Sequence, residues 1–546
     1  MLNRAFSPPK QPFIFTLMLS FPQNSVFMRN KFLAYGIILF LGSFALAWFF
    51  HGWIWLAVVI GIILLLGIFD TLQTRHTILR NFPVLGYFRY LFEFISPELQ
   101  QYFIERNIDG KPFSRQHRTI AYERSKNLES TTPFGTQQNI TTSEYEGLRH
   151  SIYAAPILTE LPRITVGGAQ CKQPYDASLL NVSAMSFGAL SANAVRAINL
   201  GAKRGHFFQN TGEGGLTKYH LEGGGDICWQ IGTGYFGCRT PEGNFDSEKF
   251  REKANLPNVK MVELKISQGA KPGHGGVLPA AKNSGEISEI RGVVPHTDVI
   301  SPPSHSAFSD AKGFIAFIAQ LRELCDGKPV GFKLCIGKTE EFIELCEEMN
   351  RQHIYPDFIT VDGAEGGTGA APLEFVDTVG VPLEPALIFV HQTLEKYGIR
   401  EKLRLICSGK VLTGASILRA LALGADMCNS ARGFMFSLGC IQALRCNTNK
   451  CPTGVATQDK MLMKGLDVTD KKDRVYYFHE NTLKAAMELL AGCGKKDFSE
   501  VSMDMFMKGD EFMHLEDLYF PNYLDDYTKV KGSDAYPAHK RTGYRH

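Results

Sequence analysis

Two apolar stretches, 32–50 and 53–69, stand near the start of the chain, and no Asp, Glu, Lys or Arg falls between Lys31 and Asp70. At ~1.5 Å rise per residue, each is long enough as a helix to cross roughly a ~30 Å bilayer core. His51 and Gly52 supply a turn between them, and Trp48, Trp53 and Trp55 sit beside it, where an aromatic belt falls. Arg29 and Lys31 precede the pair; Arg75, Arg80 and Arg89 follow it. This pattern predicts a two-pass hairpin over 32–69 in the inner (cytoplasmic) membrane, with both ends and the remaining chain on the cytoplasmic side. A cleaved signal needs one short apolar run and a small-residue cleavage site, which the doubled run does not match. Residues 1–27 are apolar but broken by Pro8, Pro9, Pro12 and Pro22, and Met28 offers a natural start. Within the leader, 1–31, residues 1–27 are therefore expected to be dispensable.

From about residue 178 the pattern changes. Short apolar runs at 180–185, 206–210, 260–266, 298–301, 330–334, 358–361, 404–407 and 427–430 alternate with helical periods such as 313–325, 340–350 and 415–423. Eight β–α repeats predict a (β/α)8 TIM barrel, whose site lies where the strands end. An open doubly wound sheet would need a phosphate fingerprint between strand and helix. Gly232-Thr-Gly234-Tyr-Phe-Gly237 resembles one, but Cys238-Arg-Thr-Pro241 follows it, so it reads as a glycine-rich loop. The expected organisation is the leader, the hairpin at 32–69, a connecting segment at 70–177 packing on the barrel, the barrel at 178–460, and a helical extension and loose tail at 461–546. Within the connecting segment, Ser96, Pro97 and Glu98 read as the cap and first turn of a helix.

Composition narrows the function. A net charge of +3 points to no nucleic-acid surface. The 52 glycines gather in loops after apolar runs, where backbone approaches a flat or phosphorylated ligand. The twelve cysteines form no small disulfide module and fit a reducing compartment. Three of them, Cys440, Cys446 and Cys451, fall within twelve residues. That spacing serves an iron–sulfur cluster or a set of small core residues equally well.

Several strand-end sequences carry chemistry. Met185, Ser186 and Gly188 follow the first run and can lie along one edge of a flat ring. Glu213 offers a carboxylate after the second. Lys265, Gln268 and Lys271 follow the third, the last in an open turn. Lys333 stands inside an otherwise apolar strand, where a lysine is rarely idle. Gly363 and Gly367 follow the sixth run, Gly409 the seventh, and Arg432 and Gly433 the eighth. The last two loops are the usual phosphate cradle of this fold, so Gly409, Arg432 and Gly433 are expected to hold a phosphate.

The stretch from Gly439-Cys440 through Cys446-Asn-Thr-Asn-Lys-Cys451-Pro-Thr-Gly-Val-Ala-Thr-Gln458-Asp459 resembles the FMN-binding synthase domain of glutamate synthase. So do Ser186-Phe-Gly-Ala-Leu190, Asn210-Thr-Gly-Glu-Gly-Gly215, Gln268-Gly-Ala-Lys-Pro-Gly273, Ile300-Ser-Pro-Pro303 and Gly363-Ala-Glu-Gly-Gly-Thr-Gly-Ala370. The resemblance covers about half the chain. It implies FMN and a 3Fe-4S cluster on Cys440, Cys446 and Cys451. It also implies condensation of ammonia with 2-oxoglutarate, reduction of the resulting 2-iminoglutarate at the flavin, and electrons relayed by the cluster from an external donor protein or reductase subunit. Lys333 then looks like a lysine contacting substrate and flavin, with Lys265, Gln268, Lys271 and Glu213 at the same mouth; a cation beside the ring stabilises its anionic reduced form.

Two departures matter. A glutamine amidotransferase domain opens the family's full enzyme, whereas a hairpin stands there in this chain, so ammonia comes from elsewhere or another amine is used. His274 stands where the family often has glutamate, which leaves the oxo acid and amino donor open. The alternatives are an FMN barrel acting on another amine or oxo acid, and a membrane-anchored electron-transfer or scaffold subunit.

Overall fold

The computed structural model describes residues 25–128, 131–509, 513–514 and 544–545. Residues 1–24, most of the expected leader, and nearly all of the expected loose tail lie outside them. The chain divides into two compact units, Met1–Pro112 and Phe113–His546.

In the first unit, helices Ser25–Phe49 and Ile54–Leu72 are joined by a 3-10 turn at His51–Trp53. Both are long and apolar enough to cross a membrane. They interlock through small residues: a Cβ on Gly67 would lie 2.1 Å from the Phe32 ring, and one on Gly36 would lie 2.9 Å from Leu64. Their remaining apolar surface faces outward. Asp70, near the end of the second helix, is buried and accepts the Val84 N–H and the Tyr87 O–H, each at 2.9 Å.

After a short helix at Thr77–Asn81, a longer one runs over Gly86–Leu99, so Ser96 does not cap a helix start. Pro97 sits inside this helix. Proline removes one internal hydrogen bond, and the helix then widens into a π turn at Gln100–Ile104.

The second unit is a closed eight-stranded parallel barrel. Its strands are β1 (Leu180–Val182), β2 (Gln209–Asn210), β3 (Ile227–Ile231), β4 (Val259–Lys265), β5 (Val330–Leu334), β6 (Phe358–Asp362), β7 (Arg404–Ser408) and β8 (Met427–Ser430). The last closes on the first, Ser430 opposite Val182. The TIM-barrel expectation holds, with one strand exchanged. The run at 298–301 contributes only Val299–Ile300, which pairs antiparallel with Val277–Leu278 outside the barrel. The true third strand is Ile227–Ile231, buried at every position between two glycine-rich loops. Those flanking glycines hide it among the apolar runs. The expected third strand is therefore the fourth. The Gly232–Gly237 segment is indeed a loop, since the next helix starts only at Ser247.

The antiparallel pair Arg163–Val166 and Tyr175–Ser178 closes the end where the strands begin, burying Ile164, Val166 and Ala177 against the barrel core. Tyr544–Arg545 adds to its edge. Helix Val468–Gly492 covers the seam, packing on helices Ala192–Gly205, Gly414–Ala422 and Arg115–Ser125.

Candidate functional site

Lys265 ends β4, and Lys333 lies directly opposite it on β5. Two buried ammonium groups side by side need two counter-charges, and the fold supplies them. Lys265 Nζ meets Glu213 Oε1 at 2.6 Å, and Lys333 Nζ meets Asp362 Oδ2 at 3.0 Å. Glu213 reaches in from the loop after β2, and its seat depends on missing side chains. A Cβ on Gly232 or Gly276 would lie 2.5 or 2.7 Å from its carboxylate oxygens. Burial by itself would raise the Glu213 pKa, but Lys265, Lys271 and Arg291 outweigh it and hold the carboxyl below its ordinary range. Asp362 Oδ2 also accepts the Gly269 N–H at 3.1 Å. Burial pulls the Lys333 pKa down, and Asp362, Glu263 and Glu213 reverse the sign, so it stays protonated.

One layer deeper, Glu263 accepts from Asn210 Nδ2 (2.8 Å), Gln230 Nε2 (2.6 Å) and Thr360 Oγ1 (2.6 Å). Lys271 is buried rather than open; its Nζ donates to Ala370 O at 3.0 Å, and burial lowers its pKa to about 8. Gln268 is half-buried, and its carbonyl accepts the Lys271 N–H at 3.3 Å. His274 turns its ring edge to Phe375, centroids 5.1 Å apart.

The other expected residues gather at the same strand ends. The Met185–Ser186 backbone packs against the loop after β2, where a Cβ on Gly212 would lie 2.6 Å from Ser186 N. Gly363 is pressed onto Gly269, whose Cβ would lie 1.6 Å from Gly363 O. Gly409 follows β7. Gly433 follows β8, where a Cβ would lie 2.7 Å from Ser430 Oγ. Arg432 is next to Gly367, donates to Glu365 O at 3.0 Å and lies over the Phe113 ring.

Arg291 is a member the sequence did not reveal. It ends the short helix Gly285–Arg291, where a basic residue reads as an ordinary helix terminus. It is nevertheless buried, donates to Phe187 O at 3.1 Å beside Gly188, and keeps an unpartnered Nε. Burial lowers its pKa to about 10. The mouth thus holds Lys265, Lys271, Lys333, Arg291 and Arg432 against Glu213, Glu263, Asp362 and Glu365. That is five cations to four carboxylates, with Glu263 already saturated. Such a site favours an anionic ligand.

Cys440, Cys446 and Cys451 share one apolar patch beside Phe436, Val455 and Ala456. Burial raises the Cys440 thiol to about 12 and raises that of Cys446. At Cys451 burial acts the same way, but the Thr453 hydroxyl and the N–H groups of Ala456, Thr453 and Val455 outweigh it and favour the thiolate. Among the described residues, no three His, Cys, Asp or Glu side chains converge on one metal ion. Three thiols are soft donors of the kind that iron–sulfur clusters take.

The thiol loop is tied to the loop after β1. Lys282, another member the sequence did not reveal, donates to Ala189 O (2.8 Å), Ala456 O (3.1 Å) and Cys446 O (3.2 Å). Gln458 Nε2 reaches Leu190 O (2.8 Å) and Gly188 O (3.1 Å). On the far side, Tyr122 O–H donates to Cys440 O at 2.6 Å.

Fold and site define a TIM barrel whose strand ends gather paired lysines and carboxylates. Residues 163–496 match the conserved region in glutamate synthase. The chain is 39% identical over 466 residues to the glutamate synthase large subunit-like protein YerD of Bacillus subtilis, covering 78% of this chain and 88% of that one. It is 34% identical over 314 residues to the archaeal glutamate synthase (NADPH) of Methanocaldococcus jannaschii, covering 57% of this chain and 58% of that protein. Against the glutamate synthase (NADPH) large chain of Bacillus subtilis, it is 30% identical over 328 residues and spans only 20% of that protein. The chain belongs to the glutamate synthase family and is an oxidoreductase acting on CH–NH2 donors. Membership of this family supports FMN as the cofactor.

Proposed function

We propose that this chain reductively aminates 2-oxoglutarate, through 2-iminoglutarate, to glutamate. FMN would lie among Met185, Ser186, Gly188, Lys265, Gly363, Gly367, Gly409, Arg432 and Gly433, and an iron–sulfur cluster, 3Fe-4S by family resemblance, on Cys440, Cys446 and Cys451. The observation that carries the reading is the surplus of buried cations around the Lys265–Lys333 pair. A phosphate and a dicarboxylic oxo acid would both be drawn to it. The overall conversion joins one oxo acid and one ammonium, takes up two electrons and two protons, and releases one water. When bound, FMN supplies the hydride and the cluster the electrons that restore it.

The protein's own residues do the rest. Lys265 and Lys333 present fixed positive charge, each oriented by its carboxylate. Lys271, whose pKa burial lowers to about 8, would meet a substrate carboxylate or exchange a proton with the forming amine. Arg291, buried beside them, keeps an unpartnered N–H. Electrons come from an external donor protein or reductase subunit. The hairpin at 32–69 spans the inner membrane twice, with the barrel on the cytoplasmic side. That topology is supported by the two outward-facing apolar helices and the basic residues flanking them.

A second reading, an FMN barrel acting on another amine or oxo acid, is favoured by His274. The deciding experiment is anaerobic reduction of the purified protein followed by 2-oxoglutarate with ammonium. Glutamate formation supports the first reading. Reoxidation by a different oxo acid alone selects the second, and a preparation without flavin or iron leaves only a scaffold. Serine at all three of Cys440, Cys446 and Cys451 should abolish the cluster's paramagnetic signal; full iron content in that variant would remove the cluster assignment.

A further inference from the structure

Helix Gly86–Leu99 carries an apolar surface that, among the described residues, nothing in its own unit covers. Phe88, Leu91, Phe92, Ile95 and Leu99 fall at i, i+3, i+4, i+7 and i+11, one continuous face of the helix. Phe88 is 57% exposed, and Phe103, in the following π turn, is 81% exposed. Arg89 and Glu93 pair at 2.8 Å on the other side. In water so long an apolar stripe is unfavourable and marks an interaction surface.

Two observations identify its partner. Fourteen residues reach only ~21 Å at ~1.5 Å each, and Arg89, Glu93 and Glu98 interrupt them, so the helix does not span a bilayer. It is also tethered to the second apolar helix of the hairpin, because Asp70 holds Val84 N–H and Tyr87 O–H at the helix start. The stripe is therefore joined to the surface proposed to meet lipid, and Arg75 and Arg80, both exposed, lie in the chain between the two.

We propose that residues 86–104 form an in-plane membrane helix, its apolar face sunk into the headgroup–acyl boundary of the leaflet from which the hairpin ends emerge. The partner is a lipid surface with anionic headgroups, which the exposed Arg75 and Arg80 favour. This inference rests on the membrane reading of the hairpin. It makes the N-terminal unit a three-point attachment rather than a hairpin on a loose stalk.

The test uses the full chain in nanodiscs of phosphatidylcholine and phosphatidylglycerol. Tryptophan is introduced singly as Phe103→Trp, Glu93→Trp and Ile62→Trp, and quenching by lipids brominated at shallow or deep acyl positions is measured as the increment over the parent protein. Phe103→Trp should be quenched by the shallow label, Glu93→Trp by neither, and Ile62→Trp by the deep one. Deep quenching at Ile62→Trp with none at Phe103→Trp overturns this inference and leaves the hairpin standing. No quenching at Ile62→Trp removes the hairpin reading itself. Protection of Phe103→Trp from aqueous acrylamide without lipid quenching means that protein covers the stripe, either the barrel unit or a second copy, and likewise overturns the proposal.

Discussion

The two ends of the barrel use the same interaction for different ends. Where the strands begin, Arg322 meets Asp357 at 3.0 Å and Arg400 meets Asp426 at 2.9 Å. Asp357 also accepts the N–H groups of Gly168 and Val330, each at 2.9 Å, and Asp426 that of Leu405 at 2.7 Å. Each guanidinium has its carboxylate, and each carboxylate clasps a neighbouring strand. Where the strands end, cations outnumber carboxylates, and Arg291 keeps a free N–H. Paired charge at the first end holds the barrel closed; surplus charge at the second leaves work for a ligand. The contrast fits the division of this fold into a stability face and an activity face.

The largest expected effect lies at the first end. Asp357→Ala strands a buried guanidinium and two N–H groups, and should remove ~3–5 kcal/mol of stability, a large share of the ~5–15 kcal/mol typical of a domain. Denaturant titration of detergent-solubilised protein checks this; a loss below ~1 kcal/mol would break the comparison.

At the other end, Lys333→Met should lower turnover roughly ten- to two-hundred-fold, for a lost charge-assisted contact of ~1.5–3 kcal/mol, while flavin absorbance is retained. The double variant Lys333→Met/Asp362→Asn should recover stability but not turnover. Recovery of both would reassign the pair to the fold.

Lys271 sharpens the contrast through pH. Its folded pKa of about 8 lies below the ordinary lysine value of 10.5, so the unfolded chain binds more protons between those limits. Its contribution to stability therefore rises as pH climbs from about 8 to 10.5. Affinity for an anionic oxo acid should fall over the same range, because the charge that attracts it is lost. Lys271→Arg should flatten the fall in affinity; an unchanged profile would place Lys271 outside the substrate's reach. The smallest effect is expected at the exposed Arg251–Glu248 pair, where Arg251→Ala should change stability by less than ~0.5 kcal/mol.

Much of this was legible in the sequence, for identifiable reasons. Lys265 and Lys333 stand out because a charge inside an apolar strand requires a partner, and the loop glycines because backbones touch there. The partner of Lys333 was foreseen as substrate or flavin; the chain itself provides Asp362. Strand β3 was hidden because its five buried residues lie between glycine-rich loops, whereas Val299–Ile300 mimicked a strand with two β-branched residues. Arg291 and Lys282 were illegible for a different reason. Each sits in or beside a short polar helix, and its burial is created by backbone about a hundred residues away, at Phe187 and Ala189. Local pattern carries no trace of such a contact.

The ties made by Lys282 and Gln458 also set a timetable. Residues 186–190 leave the ribosome some 250 residues before the thiol loop that they hold, and β1 waits as long for β8. Until then the first strand has an open edge, and the three cysteines have no wall to lie against. Barrel closure and formation of the thiol pocket thus become one late event in a chain whose N-terminus emerged first. On the proposed reading of these thiols, iron delivered earlier would find no finished pocket, so cluster loading should follow barrel closure.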